Sequence, residues 1–282
     1  MIAHRLAPYA LPLLAAAIAP TIGCGGTVTA EPAASASEAM TRAPVAQNAH
    51  GRIKALGAAL GQVPLTGTQR AEIEKMAADS EARHADARAA QQDFMVTLAA
   101  QVEAGSIDRT ALTPKLDALS SALAKVQPDD RAALERLHAV LGPSQRAAFV
   151  DAVQAQVRER FSAMHGNHPM HQWAEDLKLT DDQRAQIKAS FQQPSAVEAD
   201  HEVRAGAAHM QRGAKVLEAF KQDRFVMDEV APPMDVTQSV ARMTNHLLTM
   251  AEHAVPILTV EQRTLAGQKL RERAAASEDT LP

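Results

Sequence analysis

The chain has 282 residues, 46% of them apolar but only 3% aromatic, and a formal net charge of −4. A composition so rich in Ala and poor in aromatics argues against a β-sandwich or barrel, which draws on Val, Ile, Thr and Tyr. It favours helices packed through small and aliphatic side chains. Acids and bases are interspersed, with no basic face able to neutralise many phosphates, so no nucleic-acid partner is expected.

The N-terminus reads as an export signal over residues 1–23. Leu6–Ala19 is apolar apart from Pro8 and Pro12, and follows a short segment carrying Arg5. It is shorter than the roughly twenty residues that span a bilayer. Cys24, the only cysteine, sits in "TIGCGG", which resembles a bacterial lipobox although Thr21 replaces the usual Leu. Cleavage before Cys24 would leave an acylated N-terminus and an envelope location. A soluble cut after Ala30 in "TVTAEP" is the rival. Neither outcome allows an internal disulfide, so stability has to come from packing. Residues 24–49 are mostly small, polar or Pro, the composition of a disordered tether.

Beyond the tether the pattern is helical. Ile73, Ala77, Ala87, Phe94 and Leu98 share one register, with Ser80, His84 and Gln91 on its remaining steps. "SAMHGNHPM" at Ser162–Met170 predicts a break, since Gly166, Asn167 and Pro169 disfavour continuous helix. Pro128 and Pro194 predict kinks or interruptions. Val236, Val240, Met243, Leu247, Met250 and Ala254 step by 4, 3, 4, 3 and 4 along one helix side. No stretch sustains strand alternation. The expected fold is all-α.

One signature returns four times: "LTGTQR" from Leu65, "LGPSQR" from Leu141, "LTDDQR" from Leu179 and "LTVEQR" from Leu258. Thr followed three residues later by Gln is a capping box: the hydroxyl accepts from the third backbone N–H, and the Gln side chain returns to the N–H of the Thr. Thr66/Gln69, Thr180/Gln183 and Thr259/Gln262 fit it. Gly142 with Gln145 is a variant having Pro143 at the first helical position. The spacing is duplicated. Leu65 to Leu141 is 76 residues and Leu179 to Leu258 is 79, while "PKLD" at Pro114 and "PPMD" at Pro232 lie 118 apart. Two tandem units follow, 50–161 and 171–277, joined by a linker at 162–170 and ended by a tail at 278–282. Each is expected to run as a long helix from its first signature, a reversal near Gly105 or Asp223, a returning helix and a terminal helix from its second signature.

Paired Leu-Thr-x-x-Gln signatures in an exported helical chain resemble the Spy/CpxP family of periplasmic proteins, with its zinc-associated and nickel/cobalt-sensing relatives. The resemblance covers about 220 residues as two family-like units. It is strongest at "LKLTDDQRAQI" and "ILTVEQR" and weakest at "LGPSQ", where Thr is lost. It implies four-helix units of long antiparallel helices that pair into a curved cradle and bind unfolded or envelope proteins without ATP, some members also binding metal. In one chain, two units can pair with each other as a pseudo-dimer, helped by an effective concentration on the order of mM.

The Arg after each Gln (Arg70, Arg146, Arg184, Arg263) is expected to make ion pairs or lie solvated; a positive rim around a client face is the sharper alternative. Two His/Met groups raise the question of metal. His165, His168 and His171, with Met164 and Met170 beside them, could close on Zn, Ni or Cu, or be a solvated linker. Met243, His246, Met250 and His253 follow helical spacing, and His246-x-x-x-Met250 resembles the nickel/cobalt-sensor pattern. The competing account is packing, or a soft Met-rich surface for varied partners. His84 and His138 fall near apolar sides, as interior or boundary histidines do. Nothing points to catalysis: there is no G-x-S-x-G and no phosphate loop, and "HEVRA" at His201 lacks a second His. No cofactor is required, with Zn, Ni, Co or Cu as optional ions. The expected function is ATP-independent binding of unfolded or envelope proteins. A metal sensor or buffer and a structural envelope lipoprotein are the alternatives.

Overall fold

A computed structural model describes residues 39–166, 169–191, 208 and 210–276. The signal segment, Cys24, His168 and Pro194 lie outside them. The described residues are helical, in the order α1 (Gly51–Leu60), α2 (Gly67–Ala104), α3 (Arg109–Val140), α4 (Pro143–Gly166), α5 (Pro169–Asp176), α6 (Asp181–Phe191), α7 (210–220), α8 (Met227–Val230), α9 (Val236–Ala254) and α10 (Val260–Ala276). The fold is all-α; the one bridge among the described residues joins Thr41 to Leu65.

The long pair α2 and α3 forms the spine. Ile73, Ser80, Ala87 and Phe94 are buried on α2, and Leu112, Leu119 and Val126 on α3. Both series step by seven, the period that keeps two helices in register along a seam. The helices run antiparallel, joined rung by rung through Lys115–Asp93 at 2.7 Å, His84–Asp130 at 3.1 Å and Arg136–Glu72 at 2.7 Å. Gly105 makes the reversal possible, closing α2 at φ 85°, a left-handed conformation that favours glycine.

The apolar residues gather at the two ends of this spine. At one end Leu60, Leu65, Ile73, Leu141 and Phe149 pack with Phe220, Phe225 and Met227. At the other, Phe94, Leu98 and Leu112 pack with Leu177, Leu248, Leu258 and Leu270. Each core therefore draws on both halves of the chain, and α10 lies along α2 while α9 lies along α3.

Several expectations need correction. Residues 39–49, assigned by composition to a tether, are docked: Val45, Ala46 and Ala49 are buried. Averaging over small residues hid the few that bury. α3 runs through Pro128 without interruption. Pro128 cannot donate to the Ala124 carbonyl, but both residues are exposed, so water can meet that carbonyl. Helix runs through Ser162, where a break was expected, and continues to Gly166. On α9 the buried positions are Val240, Thr244 and Leu248, a face rotated from the expected stripe, and Met243 is 54% exposed.

Candidate functional site

The four signatures begin helices, and three of their caps are reciprocal. Gln69 N donates to Thr66 Oγ1 at 3.1 Å while Thr66 N donates to Gln69 Oε1 at 3.1 Å. Thr180/Gln183 and Thr259/Gln262 repeat this within 3.0–3.3 Å. In the variant, Gly142 N donates to Gln145 Oε1 at 2.8 Å.

The glutamines have a second role that periodicity does not reveal. Gln69 and Gln145 face each other and exchange two amide hydrogen bonds, both 2.8 Å. Gln69 also donates to the Val140 carbonyl at 2.8 Å, and Gln145 to the Pro64 carbonyl at 2.7 Å. Gln183 and Gln262 form the same clasp at 2.7 and 3.0 Å; Gln183 donates to Ile257 O at 3.0 Å, and Gln262 to Leu177 O at 3.2 Å and Lys178 O at 3.4 Å. Each glutamine thus reaches the carbonyl that precedes the Leu of the opposite signature, and Gln262 also the one before it. The only available signal was the recurrence of Gln where any good cap partner would serve.

The arginines donate mainly to backbone carbonyls, while Arg146 also pairs with the Asp223 carboxylate at 3.7 Å and Arg184 is exposed. Arg146 donates to its own Leu141 carbonyl at 2.9 Å and to Gln222 O at 2.6 Å. Arg184 donates to Leu179 O at 3.2 Å. Arg70 reaches back to the docked segment, donating to Ala43 O at 2.8 Å and Thr41 O at 3.1 Å. The Arg263 guanidinium lies over Gly105, where a Cβ would meet its Nη1 at 2.7 Å. Arg146 thus sits on the reversal at 222 and Arg263 on the reversal at 105; both arginines and both turns are 117 residues apart.

Further clamps join distant parts of the chain. Gln127 donates to Met234 O at 3.0 Å, Arg131 to Ala231 O at 2.7 Å, and Glu135 accepts from Met227 N at 2.7 Å. On α9, Asn245, Thr249 and Glu252 hold Arg109, the Glu252 carboxylate gripping it at 2.5 and 2.7 Å. That hydrogen-bonded guanidinium holds the Glu252 carboxyl below its usual range. His138 is buried, stacked on Phe225 with ring centres 5.2 Å apart, and its Nε2 lies 2.8 Å from Gln222 O. On the α2–α3 spine His84 places Nδ1 2.9 Å from Ser80 O and Nε2 3.1 Å from Asp130 Oδ2. The bonded Asp130 carboxylate raises its pKa, against the opposing effect of burial.

The surface between α3 and α9 is an open groove of about 500 Å³, with Leu116 and Leu248 at its floor and Gln238, Arg242 and Asn245 on its wall. Met210, Met234 and Met243 are exposed, at 57%, 37% and 54%. His246 and His253 face outward on α9 and Met250 is half-buried. His165 falls within α4 and His171 within α5, while their side chains, like His168, lie outside the described residues. Among the described residues no three His, Cys, Asp or Glu side chains gather to hold a metal ion. Nor is any helix there long and apolar enough to cross a membrane. No family model, curated protein or solved structure matches this chain.

Proposed function

We propose that this chain is an ATP-independent, envelope-located binder of unfolded polypeptides, built as two copies of one helical module paired within a single chain on the Spy/CpxP pattern. The observation that carries the reading is the repeated clasp. Gln69/Gln145 and Gln183/Gln262 make equivalent bonds at equivalent chain positions. The clamps on Arg109 and on residues 227–234 then tie each copy to the other. Such a body is stiff along α2 and α3 and carries soft, exposed side chains, among them Met234 and Met243. Flexible thioethers adapt to varied apolar partners at small cost. Attachment through an acylated Cys24 belongs to the same proposal.

The test is light scattering of a thermally unfolded client, with and without the mature chain. Aggregation should fall in proportion to added chain and without nucleotide. Undiminished scattering at several-fold molar excess would overturn the reading. A parallel titration with Zn²⁺, Ni²⁺ and Cu⁺ decides the alternative centred on His165, His168, His171, His246 and Met250, which requires stoichiometric uptake.

A further inference from the structure

The docked segment 41–46 occupies a seat that the rest of the fold prepares for it. Thr41 and Leu65 exchange backbone hydrogen bonds at 2.9 Å in both directions. Arg70 donates to the Thr41 and Ala43 carbonyls, and Glu74 accepts from Ala46 N at 3.0 Å. Two α1-region glycines let the strand approach. A Cβ on Gly57 would lie 2.5 Å from Val45 O, and one on Gly61 3.3 Å from Pro44 Cα. Val45 and Ala46 are then 2% and 5% exposed.

The second half does not repeat the residues that form this seat. The first signatures of the two halves are 114 residues apart, and at that offset Gly57, Gly61 and Glu74 correspond to His171, Glu175 and Lys188. Bulk therefore replaces the glycines, and a cation replaces the carboxylate that receives the strand's N–H. A duplicated fold needs none of these three features to close its second end, so in the first half they serve the strand. The strand is also held at some cost, because Ala46 adopts φ 54°, a left-handed conformation unfavourable for a residue with a Cβ.

We propose that this seat is a peptide-recognition site, and that Thr41–Ala46 is its resident stand-in for an extended client segment of small apolar residues around a proline. The inference rests on the proposed function and names what that function recognises. Recognition works by adding a strand at Leu65, with main-chain bonds for affinity and the Gly57/Gly61 recess for selection of small side chains. The resident segment competes in cis at an effective concentration on the order of mM, so clients gain access as it lifts away.

The probe is a labelled peptide of residues 40–47, added to the full chain. Val45→Asp places a carboxylate in the apolar recess and should expel the resident strand, raising peptide affinity at least about tenfold over wild type. Thr41→Pro, which leaves the core untouched, should raise it in the same direction by removing the donor to Leu65. Adding Arg70→Ala to either variant should lower affinity about tenfold, since two charge-assisted bonds are lost. A peptide with Ala43 and Ala46 changed to Leu should bind more weakly than the parent. Equal affinity of wild type and both strand variants, or indifference to Arg70→Ala, overturns the seat. If aggregation is still suppressed in that event, the seat alone falls; if the wild-type chain suppresses nothing, the function falls with it. A concentration-dependent doubling of mass in Thr41→Pro would assign the seat to a second copy instead and overturn the client assignment.

Discussion

The clasp makes a sharp energetic prediction at Gln145. Its side chain is 7% exposed and, besides a long contact to Met40 Sδ at 3.9 Å, serves four bonds to nitrogen and oxygen partners: from Gly142 N, from Gln69 Nε2, to Gln69 Oε1 and to Pro64 O. Gln145→Ala deletes all four and leaves the Gly142 N–H and Pro64 carbonyl facing a void. A typical hydrogen bond contributes about 1 kcal/mol net, and a buried group left unpaired costs about 1–3 kcal/mol. Summed with allowance for water entering the gap, the loss is about 3–4 kcal/mol. Thr180→Ala removes only a cap at an exposed helix start and should cost about 1 kcal/mol. Urea denaturation followed by circular dichroism measures both. A double-mutant cycle with Gln69→Ala adds a second constraint, because the two amides share bonds and their losses should not add. A Gln145→Ala cost no larger than that of Thr180→Ala, or strict additivity with Gln69→Ala, would refute the clasp as a unit distinct from the caps.

Two further outcomes follow from single residues. Both ring nitrogens of His84 face oxygen acceptors, an arrangement satisfied by the imidazolium, and its pKa is raised from 6.5. Its contribution is therefore fully present below pH 6.5 and is lost as pH rises through the raised folded value. The stability difference between wild type and His84→Gln should shrink between pH 5.5 and pH 8 in denaturant titrations; a difference independent of pH would contradict the two hydrogen bonds to Ser80 and Asp130. Gly105→Ala should cost about 1–2 kcal/mol, from the left-handed backbone and the Arg263 guanidinium occupying the Cβ position. Gly213→Ala, with nothing within 4 Å of its added Cβ, should be neutral or stabilising by up to about 1 kcal/mol. Equal thermal shifts for the two would refute the assignment of Gly105 as a conformational necessity.

What could be read from the residues was local. Thr66, Thr180 and Thr259 announce helix starts because a capping box needs partners only three positions apart, and Gly105 announces a turn because few other residues tolerate its φ. The seam of α2 was partly legible, and Ser80 and Ala87 fall on it where bulk would force the helices apart. Contacts between distant parts of the chain were not legible. Gln145 meeting Pro64, Arg131 meeting Ala231 and Arg109 meeting Glu252 depend on which halves face each other, and periodicity within one helix carries no such information. The rotation of α9 has the same origin: Met243 and Leu248 both suit an apolar face, and the packing of α3 decides between them. The docked segment was missed because three buried residues stand among many small exposed ones.

The arginine that follows each glutamine shows how one motif acquires several meanings. A cation in the first turn of a helix is opposed by the helix dipole, so Arg at four such positions requires compensation. Arg146 and Arg184 find it in the carbonyl of their own signature Leu, which the extended approach to the cap leaves exposed. What remains of each guanidinium is then free to act on whatever the fold places beside it. For Arg146 that is a chain reversal from the other half, and Arg263 lies over the corresponding reversal; for Arg70 it is the segment ahead of α1. Gln supplies the clasp, which is the same at both ends, and Arg supplies the contact that differs. Exchanging these arginines for Lys would keep the charge but remove the planar fork that serves two carbonyls at once. Arg146→Lys should accordingly lose stability where Arg184→Lys, which among the described residues serves its own Leu179 carbonyl, does not.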